Sequence, residues 1–172
     1  GGVAEAACYA EALGCPRVNC LAGLRPQGVD EALLRSTLID NLRFAADAFA
    51  PAERQVLLEP LNSRDTPGFL VDRTAPALAL LDEADRPNLA LQYDVYHAQV
   101  MEGDLARTLE ANLARIGHIQ VADNPGRHQP GTGEINFPFL FRLLRSLGYP
   151  GWIGCEYVPT GPTVDSFGWM AT

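Results

Sequence analysis

The chain has 172 residues, 47% apolar and 20% charged, enough to bury one core and too apolar for a disordered chain. Asp and Glu number 21 against 13 Lys and Arg, and the resulting charge of −8 argues against a nucleic-acid or anionic-membrane surface, where phosphates need clustered cations. No apolar run approaches the roughly 20 residues that cross a bilayer, and no basic, apolar leader opens the chain, so a cytoplasmic protein is expected.

In chain order, Val3, Ala6, Ala10 and Leu13 share one helical face, with Gly14 as the stop. Val18-Asn19-Cys20-Leu21 reads as a strand. Asp30 is placed to cap a helix whose apolar stripe is Leu34, Leu38, Leu42, Ala45 and Phe49. Gln55 to Glu59 reads as a strand closed by Pro60, and Thr74 as the cap of a helix carrying Leu78 and Leu81. Leu89 to Asp94 is the next strand. Asp104 is read as the cap of a helix with Leu105, Leu109 and Leu113, followed by the strand His118 to Val121. Asn136 caps a helix that buries Leu140, Leu143, Leu144 and Leu147 before Gly148, and Trp152 to Glu156 is the last strand.

These strands recur every 29 to 38 residues with a helix between, the rhythm of parallel βαβ units. A doubly wound sheet and a β/α barrel both fit. The strands end in Glu59, Asp94, Gln120 and Glu156, which would converge at the C-terminal mouth of a barrel, and no phosphate-cradling glycine loop follows a strand. The expected fold is therefore α/β, a (β/α)8 TIM barrel. Only five β/α units are present where a closed barrel needs eight, so residues 1–172 are expected to be the C-terminal portion of a single barrel domain.

Glu59, Asp94 and Glu156 brought together would repel unless a cation offsets them, and Gln120 adds a neutral oxygen. A hard divalent ion, Mg²⁺ or Mn²⁺, suits such a set better than zinc, because no His or Cys occupies these positions. His97 is placed on the loop above, either bonding a substrate oxygen or packing against Tyr93 or Tyr96. His118 shares a strand face with Gln120 and reads as a core or supporting residue. The polar loop from Asp123 to Glu134 offers Arg127 and His128 for an anionic or hydroxylated substrate. Cysteines 8, 15, 20 and 155 form no C-x-x-C pair and read as buried free thiols.

The runs Gln92-Tyr93-Asp94-Val95-Tyr96-His97, His118-Ile119-Gln120-Val121-Ala122-Asp123-Asn124-Pro125, Pro130-Gly131-Thr132-Gly133-Glu134-Ile135-Asn136 and Gly151-Trp152-Ile153-Gly154-Cys155-Glu156-Tyr157 resemble the hydroxypyruvate isomerase family. Leu58-Glu59-Pro60-Leu61-Asn62 and the segment from Asp40 to Ala46 resemble it too. That family belongs to the xylose-isomerase-like barrels, and its members are longer at the amino end. The resemblance implies Glu59, Asp94, Gln120 and Glu156 as metal ligands, Glu59 and Glu156 also as the acid/base pair, and His97 and Arg127 as substrate contacts. It implies an isomerase of a small hydroxy-carbonyl acid, hydroxypyruvate first, with a 2-oxo-tetronate or a ketose as alternatives. A homo-oligomer is compatible with it. An inactive fragment that associates through its open sheet edge is the reading outside the enzyme class.

Overall fold

The structure, a computed structural model, describes residues 1–171. Its strands β1 (Arg17–Asn19), β2 (Gln55–Leu58), β3 (Leu89–Asp94), β4 (Ile116–Val121) and β5 (Ile153–Cys155) pair in chain order, and every pair is parallel. Helix α1 (Gly2–Ala12) precedes β1, and helices fill the crossovers: α2 (Glu31–Phe49), α3 (Thr74–Ala84), α4 (Val95–Met101), α5 (Leu105–Asn112) and α6 (Phe137–Ser146). Alternation along each strand splits the sheet into two faces. Leu58, Leu91, Tyr93, Ile119 and Val121 point outward into a core with Leu38, Leu42, Leu80, Leu81, Leu109, Leu140 and Leu144 of the helices. Glu59, Gln92, Asp94 and Gln120 take the opposite, concave face.

The sheet curls strongly. A Cβ built at Gly117 on β4 would lie 2.6 Å from Leu57 Cδ2 on β2, two strands away, and 3.0 Å from Ala90 Cβ. Gly117 is also the extra residue of a bulge, since Leu91 pairs with Ile116 but Gln92 with His118. The bulge restores the register that turns His118 and Gln120 inward. Gly117→Val is expected to destabilise the fold by about 1–3 kcal/mol through overpacking, read as a lower urea midpoint at unchanged slope.

Several expectations are corrected. Thr74 is the first residue of α3 rather than its cap: its N–H and hydroxyl both donate to Glu102 Oε1 at 2.8 Å, so a distant carboxylate closes the helix start. Asp104 precedes α5 with a left-handed backbone and no side-chain cap bond, and Leu113 falls in a 3-10 turn. Leu13, at the end of α1, and Trp152, just before β5, are exposed. Leu143 and Leu147 are half-buried at the margin of the core, whereas Leu140 and Leu144 are buried. The cysteines are free, but Cys8, Cys15 and Cys155 are exposed and Cys20 half-buried; Cys155 sits on β5, which pairs only with β4 among the described residues. Asp30 and Asn136 do cap α2 and α6. A 3-10 segment, Thr163–Ala171, and helix α4 were not expected. Among the described residues no helix is long and apolar enough to cross a membrane.

Candidate active site

The concave face encloses a cavity of about 660 Å³ at the C-terminal ends of the strands, lined by Asn19, Glu59, Gln92, His97, His118, Gln120, Arg127 and Glu156. Glu59 follows β2 directly and Asp94 is the last residue of β3, so both backbones are fixed by the sheet. Asp94 Oδ1 caps α4, accepting from Tyr96 N at 2.7 Å and His97 N at 3.4 Å. Its Oδ2 makes no hydrogen bond among the described residues. His97 therefore lies on the first turn of a helix, not on a loop as expected; Val95 and Tyr96 favour a strand by propensity, and only the Asp94 cap turns the chain.

Glu59 Oε1 and Asp94 Oδ2 are buried and have no hydrogen-bond partner among the described residues. One ligand atom from each of Glu59, Asp94 and His97 lies within 4.8 Å of the others. Glu59 Oε2 accepts from Asn19 Nδ2 at 2.6 Å, and Gln120 Oε1 accepts from Gln92 Nε2 at 2.6 Å. Arg127 reaches in from the β4–α6 loop, 3.3 Å from Glu156 Oε1, 3.8 Å from Asp94 Oδ2 and stacked 5.4 Å over the Tyr96 ring. Glu156, just beyond β5, is half-exposed. Thus the structure brings Glu59, Asp94, Gln120, Glu156, His97 and Arg127 to one mouth. His118 lines the cavity below Gln120. His128 does not join them: its ring binds Val158 O at 2.7 Å and ties the loop to the segment after β5.

The loop holding Arg127 is organised by Asp123, which is fully buried. Its carboxylate accepts from the N–H groups of Asn124, Gly131, Gly133 and Ile135 at 2.8–3.1 Å. A Cβ on Gly133 would fall 2.2 Å from Asn124 O, so the Gly-Thr-Gly run is a close backbone approach. Asp123→Ala leaves four N–H groups without their acceptor and is expected to cost at least about 3 kcal/mol, with Arg127 displaced. A chemical denaturation curve overlaying the parent's would contradict this role.

Asn19, Gln92, Asn62 and Asp65 were not singled out from sequence. Strand alternation does put Gln92 on the face of Asp94, a signal that could have found it. Asn62 and Asp65, in the loop after β2, carry no such periodicity.

A family model described as the xylose isomerase-like TIM barrel matches residues 2–172. The chain belongs to this barrel family. It is 46% identical over 169 residues to the hydroxypyruvate isomerase of Escherichia coli strain K12, covering 98% of this chain and 66% of that protein. It is 45% identical over 170 residues to the 2-oxo-tetronate isomerase of Cupriavidus necator, covering 99% and 65%. A crystal structure described as an AP endonuclease, family 2, from Brucella melitensis superposes with a TM-score of 0.95 at 44% identity, covering 98% of this chain and 65% of that one. The chain thus spans about two thirds of the length of these barrel relatives.

Burial dominates the electrostatics of this barrel mouth. Burial pushes the Glu59 carboxyl up to about 7, with the Asp94 charge adding and the Asn19 and Gln92 amides opposing. Burial lifts Asp94 to about 6 against the Tyr96 N–H and Arg127. Two raised carboxyls with unpartnered buried oxygens fit a hard divalent ion, which Glu59 and Asp94 would hold with Gln120 and Glu156 beside them. Burial and then Arg127 lower His97 to about 4, so it is neutral near pH 7.

A group whose pKa is raised on folding favours the native state below its ordinary pKa and loses that advantage as pH rises through the raised value. The metal-free protein should therefore lose these two contributions between about pH 4 and 7, while a cation competes with the same protons. Mn²⁺ affinity is expected to rise from about pH 5 to 8 and then level off, with protons released on binding. Calorimetry in buffers of different ionisation heat checks both, and a flat affinity would contradict the reading.

Proposed function

We propose that this chain forms the catalytic mouth of a divalent-cation-dependent isomerase that interconverts hydroxypyruvate and tartronate semialdehyde, and that residues 1–172 are the carboxyl-terminal portion of its single barrel. The observation that carries this reading is the pair of buried oxygens without a hydrogen bond among the described residues, Glu59 Oε1 and Asp94 Oδ2, the second of them 3.8 Å from the Arg127 guanidinium. The hydroxypyruvate isomerase at 46% identity supports the reaction class.

The reaction moves one proton between adjacent carbons. One of Glu59 and Glu156 takes the C3 proton of hydroxypyruvate, and that C–H electron pair becomes the C2=C3 bond of an enediolate as the carbonyl electrons move to O2. The other glutamate governs delivery of a proton to C2, while the O3 proton is passed to O2, so that O3 becomes the aldehyde oxygen and O2 the product hydroxyl. Atoms and electrons balance with no external oxidant. A divalent cation held by Glu59 and Asp94, with Gln120 and Glu156 beside them, would supply positive charge that stabilises the enediolate. Arg127 suits the substrate carboxylate, since its fork geometry matches a carboxylate's two oxygens and its present partner Glu156 is half-exposed. His97 orients a substrate oxygen.

A four-carbon 2-oxo acid is the second reading, supported by the 2-oxo-tetronate isomerase at 45% identity; the chemistry is the same and the cavity of about 660 Å³ admits either. A ketose epimerase would likewise use the same paired carboxylates. Cleavage of nucleic acid, the activity named for the Brucella melitensis structure, suits this chain poorly. Its charge is −8, and Arg127 is tied to carboxylates. Incubation in D₂O discriminates: isomerisation through an enediolate places deuterium on the product carbon, and a phosphodiesterase leaves hydroxypyruvate unlabelled.

A further inference from the structure

We propose that Asn62 is a positioning residue that locks His97 in the Nε2–H tautomer, so that His97 presents a hydrogen-bond donor to an acceptor oxygen of the substrate and is not a metal ligand. This rests on the isomerase reading only for the identity of that oxygen.

Asn62 is fully buried in the loop after β2. Its backbone N–H donates to His97 Nδ1 at 3.0 Å, and its Nδ2 lies 2.7 Å from the same ring nitrogen. The orientation of the amide is set independently: Oδ1 accepts from Arg64 N at 3.1 Å and Asp65 N at 2.8 Å, and Nδ2 also donates to Asp65 Oδ2 at 3.1 Å. A flipped amide would set its NH₂ against two N–H donors. Nδ1 thus faces two donors and must carry a lone pair, so the single proton of the neutral ring sits on Nε2. Asp65 is held in turn by the Tyr96 hydroxyl at 2.7 Å, which joins the loop to the first turn of α4.

The other ring nitrogen is unspent. Nε2 is buried without a hydrogen-bond partner among the described residues, and Asp94 Oδ2 at 3.9 Å is too far to serve as one. A protonated Nε2 offers no lone pair to a cation, which separates His97 from Glu59 and Asp94 although all three are close together. It donates to a carbonyl, carboxylate or enediolate oxygen. A substrate presenting only a hydroxyl hydrogen or a methyl group at that point leaves the buried N–H unpaired and is rejected.

The test is ring ¹⁵N NMR of histidine-labelled, metal-free protein near neutral pH, with His97 identified among the three histidines by the signals lost in His97→Gln. The expected result is an unprotonated Nδ1 and a protonated Nε2, still protonated when saturating Mg²⁺ is added. A protonated Nδ1, or loss of the Nε2 proton with Mg²⁺, would overturn the proposal. Asn62→Asp keeps the turn-forming oxygen but sets a carboxylate against Nδ1, so it should put a proton there and lower kcat/KM by about 10–100-fold. Wild-type signals in a folded Asn62→Asp protein would contradict the lock. The ring spectrum is read without substrate, so a failure to turn over hydroxypyruvate counts against the isomerase reading and not against the tautomer.

Discussion

Asp94→Asn is expected to weaken Mn²⁺ binding by more than about 100-fold, beyond the 10–100-fold typical of losing an outer partner of a metal site, while leaving the fold intact. The two oxygens of Asp94 have separate tasks. Oδ1 caps α4, a bond an amide oxygen can still accept, whereas Oδ2 has no hydrogen bond among the described residues and lies 3.8 Å from Arg127. An amide NH₂ there repels a cation. Because burial raises the Asp94 carboxyl to about 6, it is ionised at pH 8 at a cost to the fold, and metal-free Asp94→Asn should melt at or above the parent temperature there. Asp94→Ala loses the cap as well and should cost about 1 kcal/mol. Titration of Mn²⁺ followed by electron paramagnetic resonance, with thermal melts in chelator, separates these effects. Parental Mn²⁺ affinity in Asp94→Asn would remove the basis for the cation site.

Glu59→Gln and Glu156→Gln are each expected to lower kcat by about 10²–10⁴-fold, the usual contribution of a positioned acid or base. The environments of the two residues differ. Glu59 is buried and held by Asn19 Nδ2, so its amide replacement keeps that bond and its effect is chemical rather than structural. Glu156 is half-exposed and paired with Arg127 at 3.3 Å. Its replacement also frees Arg127, so KM for a carboxylate substrate should change along with kcat. The double variant should be little worse than the poorer single one, because the two groups serve one proton transfer. Full activity in either single variant would exclude that residue from the acid/base pair.

Much of this geometry was legible in the chain. Strand β3 runs from Leu89 to Asp94 as its apolar pattern indicated, and Asp30 and Asn136 cap the helices they precede. The strand-end carboxylates stood out because corresponding ends of parallel strands converge on one mouth, where several carboxylates would meet. Helix α4 did not stand out: the residues after Asp94 read as a loop, Val95 and Tyr96 are weak helix formers, and the Asp94 cap that starts the helix is also a site residue. Asn62 sits two residues after Pro60 and reads as an ordinary turn former. Its contact with His97 joins residues 35 apart, which no local pattern encodes. The exposure of Cys155 and Trp152 was missed for a different reason. Their apolar segment reads as a buried strand, yet β5 pairs only with β4 among the described residues.

The most direct measurement is hydroxypyruvate turnover with Mg²⁺ or Mn²⁺ and after chelation, on this chain and on a form extended at the amino end to the length of its relatives. The account predicts tartronate semialdehyde carrying solvent deuterium, formed only with the cation present and lost in Glu156→Gln. A folded, cation-loaded extended protein that leaves both hydroxypyruvate and 2-oxo-tetronate unchanged and unlabelled would contradict it.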